Sequence, residues 1–238
     1  MKKIIYIADP EILSVPIREC GEPLIDLKNQ TEILFGPTPE CDLTKNDYTK
    51  IRKSVFQKLC VAQKKLPHGF RFKLYEGFRS LIVQKILFDD IYQRVSARLP
   101  NTSHETRFHE TTRLASPVIN FDGTPNIPAH NTGGAIDIEI IDQHGEFIDM
   151  GMTAKDWAVV DPGLCLTNCN TISEKAKNNR QLLLKIMQEH GFINYPTEWW
   201  HFSYGDRYWA YFKSEKQAIY GSADHVTVLC NGEWYEKN

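Results

Sequence analysis

Apolar residues recur at the three- to four-residue spacing of amphipathic helices in three stretches of the chain. Side chains that cap helices precede the first and third stretches, and a glycine follows both, as is typical of helix ends. The predicted helices cover residues 46 or 47 to about 65, residues 81–99 and residues 173–189.

Alternating apolar and polar residues predict strands over residues 71–76 and 135–141. In the second strand three isoleucines share one face, while Asp137 and Glu139 share the other. Two adjacent tryptophans followed by a phenylalanine predict a third strand over residues 198–202. Helices that are segregated from short strands favour an α+β fold, with helices packed on a mainly antiparallel sheet.

The remaining segments are predicted to be connections. Residues 1–45 contain five prolines and are predicted to form an extended arm that carries short strands. Residues 100–129 are predicted to be mostly loop, and loops of this length are often binding elements or lids. Within this segment His104 and His109 are five residues apart, a spacing that fits neither one helix face nor the zincin motif.

Composition restricts the class of protein. The 238 residues are 42% hydrophobic, which is enough for one substantial core. The formal charge of −2 gives no electrostatic reason to expect a nucleic-acid or membrane partner, and no apolar run approaches the roughly 20 residues that span a bilayer. The apolar residues 4–8 are interrupted at Asp9, so no signal peptide and a cytoplasmic location are expected. The six scattered cysteines are expected to be reduced thiols.

Four polar residues in two segments form the strongest chemical signal in the chain. His130 precedes the strand that contains Asp137, and His201 ends the segment Glu198-Trp-Trp-His201. Two histidines and one carboxylate are a sufficient set of protein ligands for a catalytic zinc ion, with one position open for water. Glu198 could take the proton of that water as a general base. The sequence therefore predicts a sheet-based site for one zinc ion in a hydrolase.

The same segments resemble the metal-binding signatures of the zinc D-alanyl-D-alanine dipeptidases, the vancomycin-resistance-type dipeptidases. That family belongs to a wider group of D,D-carboxypeptidases and dipeptidases that share a core with the Hedgehog signalling domain. Residues 75–80, 179–187 and 190–192 are similar to further family segments, so the resemblance covers about residues 50–212. The chain is interpreted as one catalytic domain over residues 1–238, in which the N-terminal arm precedes the zinc peptidase core.

The resemblance implies roles for two further residues. Arg79 is similar to a family arginine that stabilises the transition state, although an arginine at such a turn could instead pair with a surface carboxylate. The resemblance also implies a carboxylate that receives the ammonium group of the dipeptide, and Asp156 is the candidate for this residue. The wider family commonly has serine two residues before the first histidine, and this chain has Pro128 there. One hydroxyl contact to the substrate is therefore expected to differ.

The implied function is zinc-dependent hydrolysis of D-alanyl-D-alanine to D-alanine, with Glu198 as the base and Arg79 at the developing oxyanion. The expected partner is this small dipeptide. The sequence does not indicate which oligomeric state the protein adopts. Two alternatives stay open. One is a D,D-carboxypeptidase that acts on longer cell-wall stem peptides. The other is a binding module with a structural zinc ion or a degenerate site, although structural zinc normally has four protein ligands.

Overall fold

Helices alternate with short strands in the computed structural model, which describes residues 4–39 and 42–229. The helices are α1 (Pro10–Leu13), α2 (Lys53–Gln63), α3 (Leu81–Arg98), α4 (His104–Thr112), α5 (Glu174–Glu189) and α6 (Arg207–Phe212). The strands are β1 (Leu24–Asp26), β2 (Leu34–Phe35), β3 (Lys50–Arg52), β4 (Arg71–Glu76), β5 (Ile136–Ile141), β6 (Ile193–Asn194), β7 (His201–Ser203) and β8 (Val228–Leu229).

The larger sheet has five strands in the order β2-β4-β5-β7-β6. Its β2 and β4 are parallel, and every other neighbouring pair is antiparallel. The smaller sheet has the order β3-β1-β8, antiparallel between β1 and β3 and parallel between β1 and β8. The predicted α+β fold with a mainly antiparallel sheet is therefore confirmed.

The main hydrophobic core joins α2 and α5 to the larger sheet. Its buried members include Val55, Phe56, Leu59, Ala62, Phe72, Leu74, Ile136, Ile138, Ile140, Leu183, Ile186, Met187, Trp199 and Phe202. The three isoleucines of β5 thus face this core, as the alternation predicts. The opposite face of β5 carries Asp137 and Glu139, which are only 4% and 5% exposed. Polar groups on this strand are therefore sheltered from solvent as well.

Helices α3 and α4 pack against each other around a smaller, separate cluster of apolar residues. Ser103 caps α4 by accepting a hydrogen bond from the amide of Thr106, and the ring of Phe108 lies 5.3 Å from that of Phe88 on α3. The prediction of loop for His104 and His109 was therefore wrong. The cap and the packing on α3 supply the stability that the apolar pattern alone does not indicate.

Two other predicted elements begin later than expected. The first long helix starts at Lys53, because residues 50–52 pair with β1 as a strand instead. The strand predicted from Glu198 starts at His201, because the intervening tryptophans form a turn closed by the His201 amide and the Glu198 carbonyl at 3.2 Å. The remaining predicted helices and strands agree with the structure to within one residue at each end.

The N-terminal arm contains helix α1 and contributes a strand to each sheet. Its residues Ile7 and Ile12 pack in a cluster with Tyr195 and Tyr208. The described cysteines, Cys20, Cys60, Cys165 and Cys169, are free thiols, whereas Cys41 and Cys230 lie outside the described residues. Within the described part of the chain, no helix combines the length and apolar character that crossing a bilayer requires.

Candidate metal centre and active site

His130 lies on a tight turn, Ala129–Thr132, that leads into β5. Gly133 ends the turn with a left-handed backbone at φ 68°, a conformation that favours glycine. A Cβ atom on Gly134 would overlap the carbonyl oxygen of Tyr204, so a larger residue does not fit there. The two glycines therefore let the chain turn sharply and place His130 beside the strand.

The backbone of Gly77 orients the imidazole ring of His130. Its carbonyl oxygen lies 2.8 Å from Nδ1, so Nδ1 is the nitrogen that carries the proton. The lone pair on Nε2 is then available to a metal. Nε2 faces the other two predicted ligands, at 3.4 Å from Oδ2 of Asp137 and 3.2 Å from Nδ1 of His201.

Asp137 and His201 are direct neighbours across β5 and β7. Side chains of directly paired residues project from the same face of a sheet, and Oδ1 of Asp137 lies 3.0 Å from Nδ1 of His201. With His130 they form a buried cluster whose ligand atoms all lie within 4.8 Å of one another. The strand register and the glycine turn together assemble the predicted ligand set.

The three donor atoms fit a zinc ion in both chemistry and spacing. Zinc takes imidazole nitrogen and carboxylate oxygen at about 2.0–2.2 Å in a tetrahedral arrangement, which places ligand atoms roughly 3.3 Å apart. The separations here are 3.0, 3.2 and 3.4 Å. Across residues 4–39 and 42–229, this is the one cluster of three or more histidine, cysteine or acidic side chains close enough to share a metal ion.

The electrostatics of this cluster favour a bound cation. Burial raises the pKa of Asp137, but the neighbouring His130 and His201 outweigh that effect, so the pKa is lowered overall. Burial lowers the pKa of His130, but the charge and hydrogen bond of Asp137 outweigh it, and the net shift is upward. An ionised carboxylate among buried imidazoles stabilises a positive charge, whether a proton or a metal ion.

Glu198 lies next to the ligand set, in the turn before β7. Its amide donates to the carbonyl of Tyr195 at 2.9 Å, and its own carbonyl accepts a hydrogen bond from Nδ2 of Asn194 at 3.1 Å. Its Oε2 atom is 3.8 Å from Nδ1 of His201, and 26% of the side chain is exposed. The carboxylate is thus held beside the three ligands while it remains accessible from the cleft.

Arg79 follows β4 and is held by two buried side chains. Its Nε donates to Oε1 of Glu76 at 2.9 Å, its Nη2 pairs with Oε2 of the same residue, and its Nη1 donates to Oε1 of Gln84 at 3.0 Å. Gln84 in turn donates to the carbonyl of Ser116 at 2.7 Å. The arginine therefore does pair with a carboxylate, but that carboxylate is fully buried rather than on the surface.

One cavity brings these side chains together: it is lined by Arg79, His130, Asp137, Glu198 and His201. Its other lining residues include Ile7 of the N-terminal arm and several residues between 112 and 129. These are the two segments for which sequence alone gives no fixed position, and both border the cleft.

A match to a known protein family covers most of the chain. The family model is that of peptidase family M15, described as D-ala-D-ala dipeptidase, and it matches residues 42–218. The chain belongs to this family. The resemblance noted in the two metal-binding segments is thereby confirmed at the level of the family.

Individual members of this dipeptidase family are similar to the chain at moderate identity. The D-alanyl-D-alanine dipeptidase of Synechocystis sp. is 28% identical over 223 residues, which is 84% of this chain and 88% of that protein. The D-alanyl-D-alanine dipeptidase of Escherichia coli (strain K12) is 35% identical over 78 residues, which is 31% of this chain and 36% of that protein.

Two solved structures are similar to this chain, both at low identity. The LdcB LD-carboxypeptidase has a TM-score of 0.40 and 16% identity, covering 83% of this chain and 76% of that one. The vancomycin resistance D,D-pentapeptidase VanY, a mutant in complex with Zn(II), has a TM-score of 0.39 and 15% identity, covering 88% and 96%.

Asp156, the residue expected to bind the substrate ammonium, is not part of the ligand cluster. It ends the short turn Ala154–Asp156, and its Oδ2 accepts a hydrogen bond from the hydroxyl of Thr153 at 2.6 Å. It is not among the residues that line the cavity, whereas the next residue, Trp157, is. Its role in binding a substrate ammonium group stays a prediction.

Sequence reasoning missed three residues that position parts of the candidate site. Glu76 and Gln84 hold Arg79, and their spacing of three residues before it and five after it is a weak signal. Arg52 is fully buried, and its Nε donates to the carbonyl of Thr132 in the turn that carries His130, at 2.7 Å. No local pattern indicates this last contact, since the partners are 80 residues apart.

Proposed function

We propose that this protein hydrolyses the dipeptide D-alanyl-D-alanine to D-alanine, with one zinc ion held by His130, Asp137 and His201. One observation carries the proposal: three zinc-type donor atoms, 3.0–3.4 Å apart, share a cavity with Glu198 and Arg79. Membership of the dipeptidase family supports the choice of substrate, and the Synechocystis relative of that name covers most of the chain.

Glu198 acts as the general base and then as the general acid. A zinc ion bound at the three ligands would supply Lewis acidity, polarising the peptide carbonyl and lowering the pKa of water toward neutrality. Glu198 takes a proton from the attacking water and passes it to the nitrogen of the leaving D-alanine. Its position 3.8 Å from His201 supports this role, because the carboxylate borders the ligand set without belonging to it.

Arg79 stabilises the negative charge that develops on the carbonyl oxygen. Its guanidinium is fixed by Glu76 and Gln84 before the substrate arrives, so little reorganisation is needed during the reaction. The buried carboxylate of Glu76 also offsets the cost of holding the arginine in a desolvated wall. Glu76 and Gln84 therefore act as positioning residues for Arg79.

A second candidate function is D,D-carboxypeptidase activity on longer cell-wall peptides. It is favoured by a second cavity that adjoins the first, since Leu114, Trp157, Glu198 and Trp200 line both. A site that accepted only dipeptides would have no need of this space. Pro128, which lines the first cavity in place of the serine common in the wider family, agrees with an altered substrate contact.

Release of D-alanine from three substrates tests the proposal. The zinc-loaded protein should cleave D-Ala-D-Ala rapidly and N-acetyl-D-Ala-D-Ala poorly, because the acetyl group removes the ammonium charge and lengthens the ligand. Faster cleavage of the acetylated dipeptide or of a stem pentapeptide would assign the carboxypeptidase activity instead. Binding of zinc with no cleavage of any of the three would support the binding module.

A further inference from the structure

The second cavity has apolar walls and a cationic rim. With a volume of about 360 Å³ it is larger than the first, at about 70 Å³. Ile91, Val95 and Trp157 are among its apolar wall residues. The charged side chains that line it are three arginines, Arg94, Arg98 and Arg113, together with Glu198 at the boundary with the first cavity. Away from that boundary, the lining is therefore positively charged.

One face of helix α3 runs through both cavities. Gln84 and Leu87 line the first, and Ile91 and Arg98 line the second, as expected for residues spaced at about one helical turn. The distance along the helix from Leu87 to Arg98 is about 16 Å at 1.5 Å per residue. An extended dipeptide spans only about 7 Å. The combined cleft is thus longer than D-alanyl-D-alanine.

The three arginines are available to a further anion. Arg94 pairs with Asp90 at 2.7 Å and Arg113 with Glu110 at 2.8 Å, but both arginine side chains are more than half exposed. Exposed pairs of this kind contribute only about 0–1 kcal/mol, so a ligand carboxylate can compete for them. Arg98 has no ion-pair partner within residues 4–39 and 42–229.

We infer that the second cavity is a subsite for a carboxylate-bearing extension of the peptide substrate, with Arg98 and Arg113 binding the carboxylate. The inference rests on the proposed peptidase function, because the subsite is continuous with the catalytic cavity. The apolar walls accommodate the aliphatic part of the extension. The planar guanidinium groups of the arginines can each donate two hydrogen bonds to its carboxylate. Besides D-Ala-D-Ala itself, the subsite therefore favours peptides that carry an additional carboxylate next to the dipeptide unit.

The extension has two possible sources, which share the same chemistry. It is either a residue added before D-Ala-D-Ala or a larger residue in place of the terminal D-alanine. Two matched pairs distinguish them: N-acetyl-Glu-D-Ala-D-Ala with N-acetyl-Gln-D-Ala-D-Ala, and D-Ala-D-Glu with D-Ala-D-Gln. Within each pair the members have nearly the same shape and differ by one negative charge.

The decisive measurement is the dissociation constant of each peptide for the zinc-loaded Glu198→Gln protein, by calorimetry at low salt. Binding is then measured without turnover. In the pair that matches the true position of the extension, the glutamate peptide should bind about tenfold more tightly than its glutamine partner. This is the gain expected of a charge-assisted hydrogen bond. The advantage should shrink with added salt, because the arginines are exposed.

Adding Arg98→Gln and Arg113→Gln to that protein should reduce the tenfold ratio to nearly one. Lys85→Gln is the matched control: Lys85 is an exposed cation on the same helix that lines neither cavity, and the ratio should stay unchanged. Equal binding within both pairs, or a ratio that survives loss of the arginines, would overturn the inference.

The inference would also be overturned if the arginine substitutions weakened binding of D-Ala-D-Ala itself to the same extent. The arginines would then bind the carboxylate of the dipeptide rather than that of an extension. The proposed function is tested separately, by release of D-alanine from D-Ala-D-Ala by the unaltered protein. Loss of that activity with the binding ratio intact would reject the peptidase proposal alone. Activity without the ratio would reject the subsite alone.

Discussion

The two halves of the cleft are built on different principles. The floor, formed by His130, Asp137 and His201, is buried, and its atoms are fixed by strand register and by a carbonyl contact. The arginine wall, formed by Arg94, Arg98 and Arg113, stands on helix α3 and beyond the end of α4, and its side chains are exposed.

The difference in burial decides what each half can contribute. Burial leaves the floor with few alternative conformations, so its donor atoms are preorganised for a metal and its charges are weakly screened. The side chains of the wall are exposed to solvent. Each ion pair formed there contributes little binding free energy, and added salt readily screens it. We therefore expect the floor to carry out the reaction and the wall to discriminate among substrates.

Removal of a floor ligand should have the largest effect. His201→Ala should lose most of its zinc on dialysis, because two protein ligands remain where catalytic zinc sites use three. Metal analysis of the purified variant measures this, and activity should disappear with the metal. The fold should survive, as a core of this size does not need zinc to assemble.

Arg98→Gln is the matched variant in the wall and should retain about one zinc per chain. Undiminished zinc in His201→Ala would reject this ligand assignment.

Glu198→Gln should reduce kcat on D-Ala-D-Ala by about 10²–10⁴-fold while zinc content stays unchanged. The amide keeps the shape of the side chain but cannot accept and return a proton. Steady-state kinetics with metal analysis on the same preparation separates loss of the base from loss of the metal. Near-normal turnover would show that another group serves as the base.

Arg79→Ala should lower kcat by about 10²–10³-fold, with a smaller change in KM, because its hydrogen bond strengthens as charge develops on the carbonyl oxygen. The variant leaves Glu76 buried without this partner, which costs about 3–5 kcal/mol of stability. The double variant Glu76→Gln/Arg79→Ala removes that charge and controls for unfolding. A change confined to KM would place Arg79 in substrate binding alone.

The same contrast explains which features can be predicted from sequence. Local sequence patterns predict the positions of the floor residues. The isoleucine alternation places Asp137 on a strand, and two glycines follow the turn of His130. Helix α4 was missed because its stability comes from a cap and from Phe108 packing on α3, which periodicity does not reveal. The start of α2 was misplaced because residues 50–52 pair with β1, and a tertiary contact of this kind overrides helix propensity.

The wall could not be predicted for a related reason. Arg98 and Arg113 are ordinary surface arginines in the sequence, on or after different helices, and only the packing of α3 against α4 brings them to one cavity. Arg52, which supports the turn of His130, illustrates the same point, since its partner Thr132 is 80 residues away. Predictability therefore follows the range of the contacts rather than their importance.

The smallest expected effect tests whether the site extends beyond the floor to Asp156. A buried substrate ammonium needs a partner carboxylate, because an unpaired buried charge costs several kcal/mol. Asp156 lies outside the cavity lining, on the turn next to Trp157, so its contribution should be modest. We expect Asp156→Ala to raise KM for D-Ala-D-Ala and to leave kcat nearly unchanged. Its rate on N-acetyl-D-Ala-D-Ala, which has no ammonium, should be unaffected, so discrimination between the two should fall. Equal losses on both substrates would mean that the substitution only disturbs the turn around Thr153, and the ammonium partner would then have to be sought among the residues that line the cavity.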